Sequence, residues 1–231
     1  MRQLPLGVRL RDRADFENFH AGRSQSLVDA VLGLLAPDGS GCALLAGPAG
    51  SGKSHLLQAA CARLPGGAYF PLGELGALGP GVLEGAEGLP VACIDDVQQV
   101  AGDPAWEAAL FRLHVESDAR RGRLLLAADR PPGQLPFRLP DLASRLSAAF
   151  RGTLQLLDEA EQREALRRRA ALRGLELPDD CASYLQRHFP RDMGTLQGIL
   201  DQLDQASLSA QRRLTVPFLR ETLSGRLPPG E

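Results

Sequence analysis

Apolar positions along this chain follow two different periods. Up to about residue 157, short apolar runs alternate with amphipathic stretches; beyond Asp158 the runs disappear and apolar residues recur only at helical spacing. The runs Cys42–Ala46, Ala68–Pro71, Val91–Asp95 and Leu124–Ala128 predict buried strands, with a further strand at Thr153–Leu156. Between and around them the pattern predicts helices at Ser24–Leu35, Lys53–Arg63, Ala105–Arg121 and Asp141–Leu146, the first ended by the Pro37-Asp38-Gly39 turn. Strands that alternate with helices imply a parallel sheet covered on both faces. The Gly- and Pro-rich stretch from Gly73 to Pro90 reads as a surface excursion.

In the second regime, Cys181, Tyr184, Leu185 and His188, and then Met193, Leu196, Leu200 and Leu203, mark one face each of successive helices. A last helix is bracketed by Thr215 as N-cap, Pro217 in its first turn and Gly225 as its stop. The organisation expected is therefore a tail over 1–13 without periodicity, an α/β domain over 14–157 and a small helical subdomain over 158–231.

Composition narrows the function classes. With 231 residues, of which 44% are hydrophobic, the chain can bury a substantial core. A formal net charge of −2 gives no basic footprint for nucleic acid, so any DNA contact is expected to be indirect. Cys42, Cys61, Cys93 and Cys181 lack metal-ligand spacing and suit reduced thiols. No run approaches the roughly 18 apolar residues of a membrane span. The N-terminus has no apolar signal core, so a cytoplasmic protein with no membrane partner is expected.

The chemistry begins at Gly47-Pro48-Ala49-Gly50-Ser51-Gly52-Lys53-Ser54, which satisfies G-x-x-x-x-G-K-[ST], follows an apolar strand and opens a helix. In that setting the loop's backbone N–H groups cradle phosphate oxygens, Lys53 reaches the β- and γ-phosphates, and the Ser54 hydroxyl ligates Mg²⁺. The nucleotide expected is ADP or ATP. Further on, Val91-Ala92-Cys93-Ile94 ends in Asp95-Asp96, the form of a Walker B strand. Asp95 would hold Mg²⁺ through water and Asp96 would polarise an attacking water. Taken alone, two aspartates after a strand are more often a helix cap or a turn.

These motifs, with Phe16-Glu17-Asn18-Phe19, Ala127-Ala128-Asp129-Arg130-Pro131-Pro132 and Leu139-Pro140-Asp141-Leu142-Ala143-Ser144-Arg145-Leu146, resemble the AAA+ proteins related to the DnaA replication initiator, most closely those that inactivate the initiator. The resemblance covers nearly the whole chain. It implies a P-loop AAA+ nucleotide-binding domain with a C-terminal α-helical lid. It makes Asp129 the sensor 1 position and Arg145 the arginine finger that one subunit inserts into its neighbour's nucleotide site, an arrangement a homo-oligomer could equally use. It also makes Gln3, Leu4, Leu6 and Val8 part of a peptide that binds the DNA polymerase III sliding clamp, with Gly7 standing where the family has proline.

The lid arginine of many relatives falls at Gly194, and Arg191, nearly a turn earlier, is the candidate substitute in the nucleotide site. Without that cation the resemblance implies weak intrinsic ATPase activity and ADP as the resident nucleotide. Read from residues alone, Asp129 is a loop aspartate before a turn, Arg145 a surface arginine, and His55 a packing residue at the cofactor-binding loop. Arg167-Arg168-Arg169, sharing a helix with Glu159, Glu161 and Glu164, reads as a solvated face.

The function expected is regulation of the initiator: nucleotide-bound and clamp-attached, the chain would promote hydrolysis of DnaA-bound ATP and suppress initiation. The alternative is an AAA+ helicase loader. An initiator is disfavoured because little sequence follows the lid, and a small-molecule kinase has no use for a trans-acting arginine.

Overall fold

A computed structural model of the chain describes residues 14–189 and 193–224. The tail positions Gln3, Leu4, Leu6 and Val8, together with Arg191 and Gly225, lie outside the described residues.

A short 3₁₀ turn leads into α1 (Gln25–Leu34), followed by β1 (Gly41–Ala46), α2 (Lys53–Arg63), β2 (Ala68–Pro71), α3 (Leu72–Leu75) and β3 (Ala92–Asp95). After these come α4 (Pro104–Ala119), β4 (Arg123–Ala128), α5 (Pro140–Ala149) and β5 (Phe150–Thr153). The strands form one parallel sheet in the order β2-β3-β4-β1-β5. Side-chain alternation along β1 supplies both faces. Leu44 joins Leu110, Leu113, Leu142 and Leu146 on the α4/α5 side, while Ala43 and Leu45 join Val31, Leu56 and Leu57 on the α1/α2 side.

Local chemistry explains the helix starts. Asp103 accepts hydrogen bonds from the N–H groups of Ala105 and Trp106 ahead of Pro104, and Asp158 with Glu161 forms a capping box. The latter begins α6 (Glu159–Leu172), which with α7 (Asp179–His188), α8 (Met193–Ala210) and α9 (Val216–Leu223) encloses a separate apolar cluster around Leu166, Leu185, Leu200 and Leu219. Thr215 caps α9 through the Phe218 N–H, with Pro217 in the first turn.

Two expectations are corrected. The strand expected at Thr153–Leu156 lies at Phe150–Thr153, because α5 continues to Ala149 and feeds straight into pairing with β1. The leucines within the expected strand serve elsewhere: Leu154 is buried in the core on the α1/α2 side and Leu156 is exposed. The stretch from Gly73 to Pro90 is no mere surface excursion either. It coils into α3 and 3₁₀ turns, and Leu83 and Ala86 pack in the core that contains Trp106.

Among the described residues no helix is long and apolar enough to cross a membrane. All parallel strands point the same way, so the loops after β1, β3 and β4 emerge at one edge, where open α/β sheets place their ligand sites.

Candidate functional site

The loop after β1 is the P-loop, held in shape by glycines that no other residue replaces. Gly52 sits at φ +95°, and a Cβ there would meet the Phe19 ring at 2.6 Å. A Cβ on Gly47 would meet the Ser51 hydroxyl at 2.6 Å. That hydroxyl is buried with no hydrogen-bond partner among the described residues, a cost unless an acceptor or donor from outside the chain engages it. Glycine cradle, orphaned hydroxyl and helix N-terminus together fit the oxygens of a phosphate chain.

Lys53 opens α2 and is 92% buried; its Nζ donates to the carbonyls of Gly47 at 2.7 Å and Pro48 at 3.0 Å. Burial pulls its pKa down, opposed by the fields of Asp95, Asp96 and Asp129. The structure thus brings together on one lysine the acids that follow β3 and β4, which lie far apart in sequence.

Each of those acids is engaged by its own chain. Asp95, fully buried, accepts the Tyr69 O–H at 2.7 Å on one oxygen and the Asp96 N–H at 2.9 Å on the other. Asp96 stands in the left-handed region at φ +57°, a conformation aspartate tolerates better than bulkier residues. Its carboxylate accepts from the Gln98 side-chain amide at 2.9 Å, and the Gln98 carbonyl accepts the Asp129 N–H at 3.0 Å. Asp129 is gripped by both nitrogens of Arg130, at 2.9 and 2.7 Å, which holds its carboxyl below the usual range. Tyr69 and Gln98 were not singled out from sequence, since nothing short of the folded strand ends reveals what they touch.

Beside the P-loop, a narrow cleft of about 40 Å³ separates the sheet domain from the lid, lined in part by Phe19, Gly52, His55, Leu157, Arg169 and Met193. A hydrogen bond between Arg169 and His55 crosses it. Arg169 donates to His55 Nδ1 at 2.9 Å, which leaves the proton on Nε2 to be donated to the Asp15 carbonyl at 2.9 Å. The solvated-face reading of the arginine run is therefore corrected at one position. Arg168 is exposed and Arg167 pairs with Asp179, but Arg169 is buried against the P-loop helix. Gly194, on the first turn of α8, is exposed, so the lid arginine seen in this cleft comes from α6.

Burial, reinforced by the Arg169 charge, lowers the His55 pKa to about 4. Since the unfolded imidazole titrates near 6.5, the unfolded chain binds a proton that the folded chain resists between about pH 6.5 and 4. Stability from this site is full above that window and falls as pH drops through it, by up to about 3 kcal/mol. Urea midpoints at pH 7 and 4.5 should differ accordingly, and His55→Gln should flatten the difference; an equal pH dependence in the variant would refute this assignment.

Arg145 is elsewhere. It is exposed on α5, with its guanidinium 5.4 Å over the Phe111 ring, and it neither lines the cleft nor contacts Lys53 or the acids around it. The start of α5 is anchored by a residue sequence reading passed over. Glu107 of α4, 1% exposed, accepts the N–H groups of Gly102 at 2.7 Å, Arg138 at 3.0 Å and Leu139 at 2.7 Å. A glutamate inside an amphipathic helix pattern carries no signal that it faces inward.

Residues 158–223 match the family model described as the Hda lid domain. Over the whole chain the structure is similar to domain III of the Thermotoga maritima replication initiation protein DnaA, with TM-score 0.76, 22% identity, and coverage of 95% of this chain and 99% of that one. It is also similar to AMPPCP-bound DnaA from Aquifex aeolicus, with TM-score 0.68 and 21% identity over 86% of this chain and 67% of that one. The Thermotoga maritima RuvB Holliday junction branch migration motor matches with TM-score 0.61 and 20% identity over 93% and 72% of the two chains. The fold is the α/β P-loop AAA+ fold with a helical lid.

Proposed function

We propose, from the premise that this chain is a DnaA-related AAA+ protein with an Hda-type lid, that it is a regulatory inactivator of the initiator. Holding a nucleotide itself and tethered to the sliding clamp, it presents Arg145 to ATP bound on DnaA. The observation that carries this reading is the placement of Arg145: exposed, on an anchored helix, and away from the chain's own P-loop. An arginine so placed serves a neighbour's phosphates and not its own.

The cradle of Gly47, Gly50, Ser51, Gly52 and Lys53 would bind the phosphates of an adenine nucleotide, with ADP the resident form, and Ser54 and Asp95 would hold its Mg²⁺. Aquifex aeolicus DnaA, similar in fold, is bound to AMPPCP. Intrinsic turnover is expected to be slow. Asp96, assigned to polarise water, is tied to Gln98, and Asp129 at the sensor 1 position is neutralised by Arg130. His55, Arg169 and Arg191 would line or approach the nucleotide from the lid side.

The decisive experiment follows hydrolysis of ATP preloaded on DnaA, with clamp-loaded DNA, in the presence and absence of this chain. Acceleration that requires the clamp supports the reading. Turnover by this chain alone, combined with affinity for single-stranded DNA and a helicase, would replace it with a loader. A separate prediction concerns the tail: deleting residues 3–8, which include Gln3, Leu4, Leu6 and Val8, should abolish retention on immobilised clamp while leaving nucleotide affinity intact. Unchanged retention would remove the clamp from the account.

A further inference from the structure

The phenol of Tyr69 is bonded to one of the two side chains assigned to Mg²⁺ and lies near the other. Tyr69 is the second residue of β2, paired in register with Cys93 of β3, and its hydroxyl reaches the end of that neighbouring strand. The hydroxyl donates to Asp95 Oδ2 at 2.7 Å. The side chains of Ser54 and Gln58, one helical turn apart on α2, stand close enough to favour its ionised form. Asp95 is fully buried, and its other oxygen already accepts the Asp96 N–H. A buried charge-assisted O–H···O⁻ contact of this length is among the stronger hydrogen bonds a protein makes.

We propose that Tyr69 competes with Mg²⁺ for Asp95 and so loosens the metal dependence of nucleotide binding. The inference rests on the nucleotide-binding part of the function proposed above. Mg²⁺ demands near-ideal octahedral geometry at short distances and reaches a Walker B carboxylate through its waters. A phenol bonded to Asp95 holds an oxygen that those waters need, and it must be displaced before the carboxylate serves the metal. Displacement forfeits a hydrogen bond to a buried carboxylate, enough to weaken Mg²⁺ about tenfold. The P-loop amides and Lys53 are untouched by this competition, so a diphosphate is held with the metal or without it.

The test uses the full chain stripped of nucleotide, and measures binding of fluorescent mant-ADP in Mg²⁺ and in EDTA for wild type and Tyr69→Phe. Phenylalanine keeps the ring and removes only the hydroxyl. The expected result is a wild-type affinity that changes less than about threefold on Mg²⁺ removal, and a variant in which Mg²⁺ tightens ADP by about tenfold or more. Mn²⁺ titrated into ADP-loaded protein and followed by its paramagnetic resonance signal should bind the variant about tenfold more tightly. An unchanged or reduced metal dependence in Tyr69→Phe overturns the proposal, because the phenol then orients Asp95 for the metal or does nothing to it. Failure of both proteins to bind mant-ADP under either condition instead removes the nucleotide reading, and the inference falls with it.

Discussion

Arg145→Ala should reduce the chain's stimulation of DnaA-bound ATP hydrolysis by about 10³-fold or more, the scale on which an arginine finger acts. The protein itself should be little disturbed. Arg145 is exposed and its one ring contact, 5.4 Å over Phe111, is worth about 0.5–1 kcal/mol, so the melting temperature, clamp retention and nucleotide affinity should remain near wild type. Arg145→Lys should fail almost as badly, since an ammonium cannot reproduce the planar fork that engages phosphoryl oxygens. Single-turnover hydrolysis on preloaded DnaA measures the effect. Stimulation that survives Arg145→Ala would mean that the charge comes from another residue or that the chain does not act by this route.

Glu107→Ala should destabilise the fold by about 3–5 kcal/mol, read as a shifted denaturant midpoint. The substitution strands three partly buried backbone N–H groups, those of Gly102, Arg138 and Leu139, without their acceptor. Glu107→Gln should not rescue. Each glutamate oxygen accepts from two amides, and a carboxamide would turn an NH₂ group toward one of those pairs. Because Leu139 is the N-cap of α5 and has no side-chain cap of its own, loss of Glu107 also loosens the helix that carries Arg145. Stimulation of DnaA should therefore fall further than the folded fraction does, while ADP still binds that fraction. A midpoint in Glu107→Gln equal to wild type would show that the four hydrogen bonds contribute nothing net.

The P-loop was legible because its constraint is local. Gly52 must adopt φ +95° and approach Phe19, and only glycine does both, so the motif is written in consecutive residues. The parallel sheet was legible because strands buried on both faces leave continuous apolar runs between amphipathic helices. Leu154 and Leu156 misled for the same reason in reverse. They are apolar and two positions apart, yet Leu154 buries in the core outside any strand and Leu156 is exposed, which a one-dimensional pattern cannot separate from strand alternation. Arg169 misled because its neighbours in sequence, Arg167 and Arg168, face outward while helical rotation turns it inward.

From the sequence alone came the alternation that builds the α/β layers, the helical period that builds the lid, and the proposal of Lys53, Ser54, Asp95 and Asp96 as nucleotide-site residues, each set by residues within a few positions of one another. Tertiary structure alone decided which groups meet. Tyr69 reaches Asp95 across neighbouring strands, Gln98 links Asp96 to the end of β4, His55 joins Asp15 to Arg169 across the cleft, and Glu107 holds the start of α5 from a separate helix. The physical reason is the range of the interactions. Propensity, capping and periodicity act over a few residues, whereas these hydrogen bonds exist only after folding has brought together elements whose partners no local pattern names.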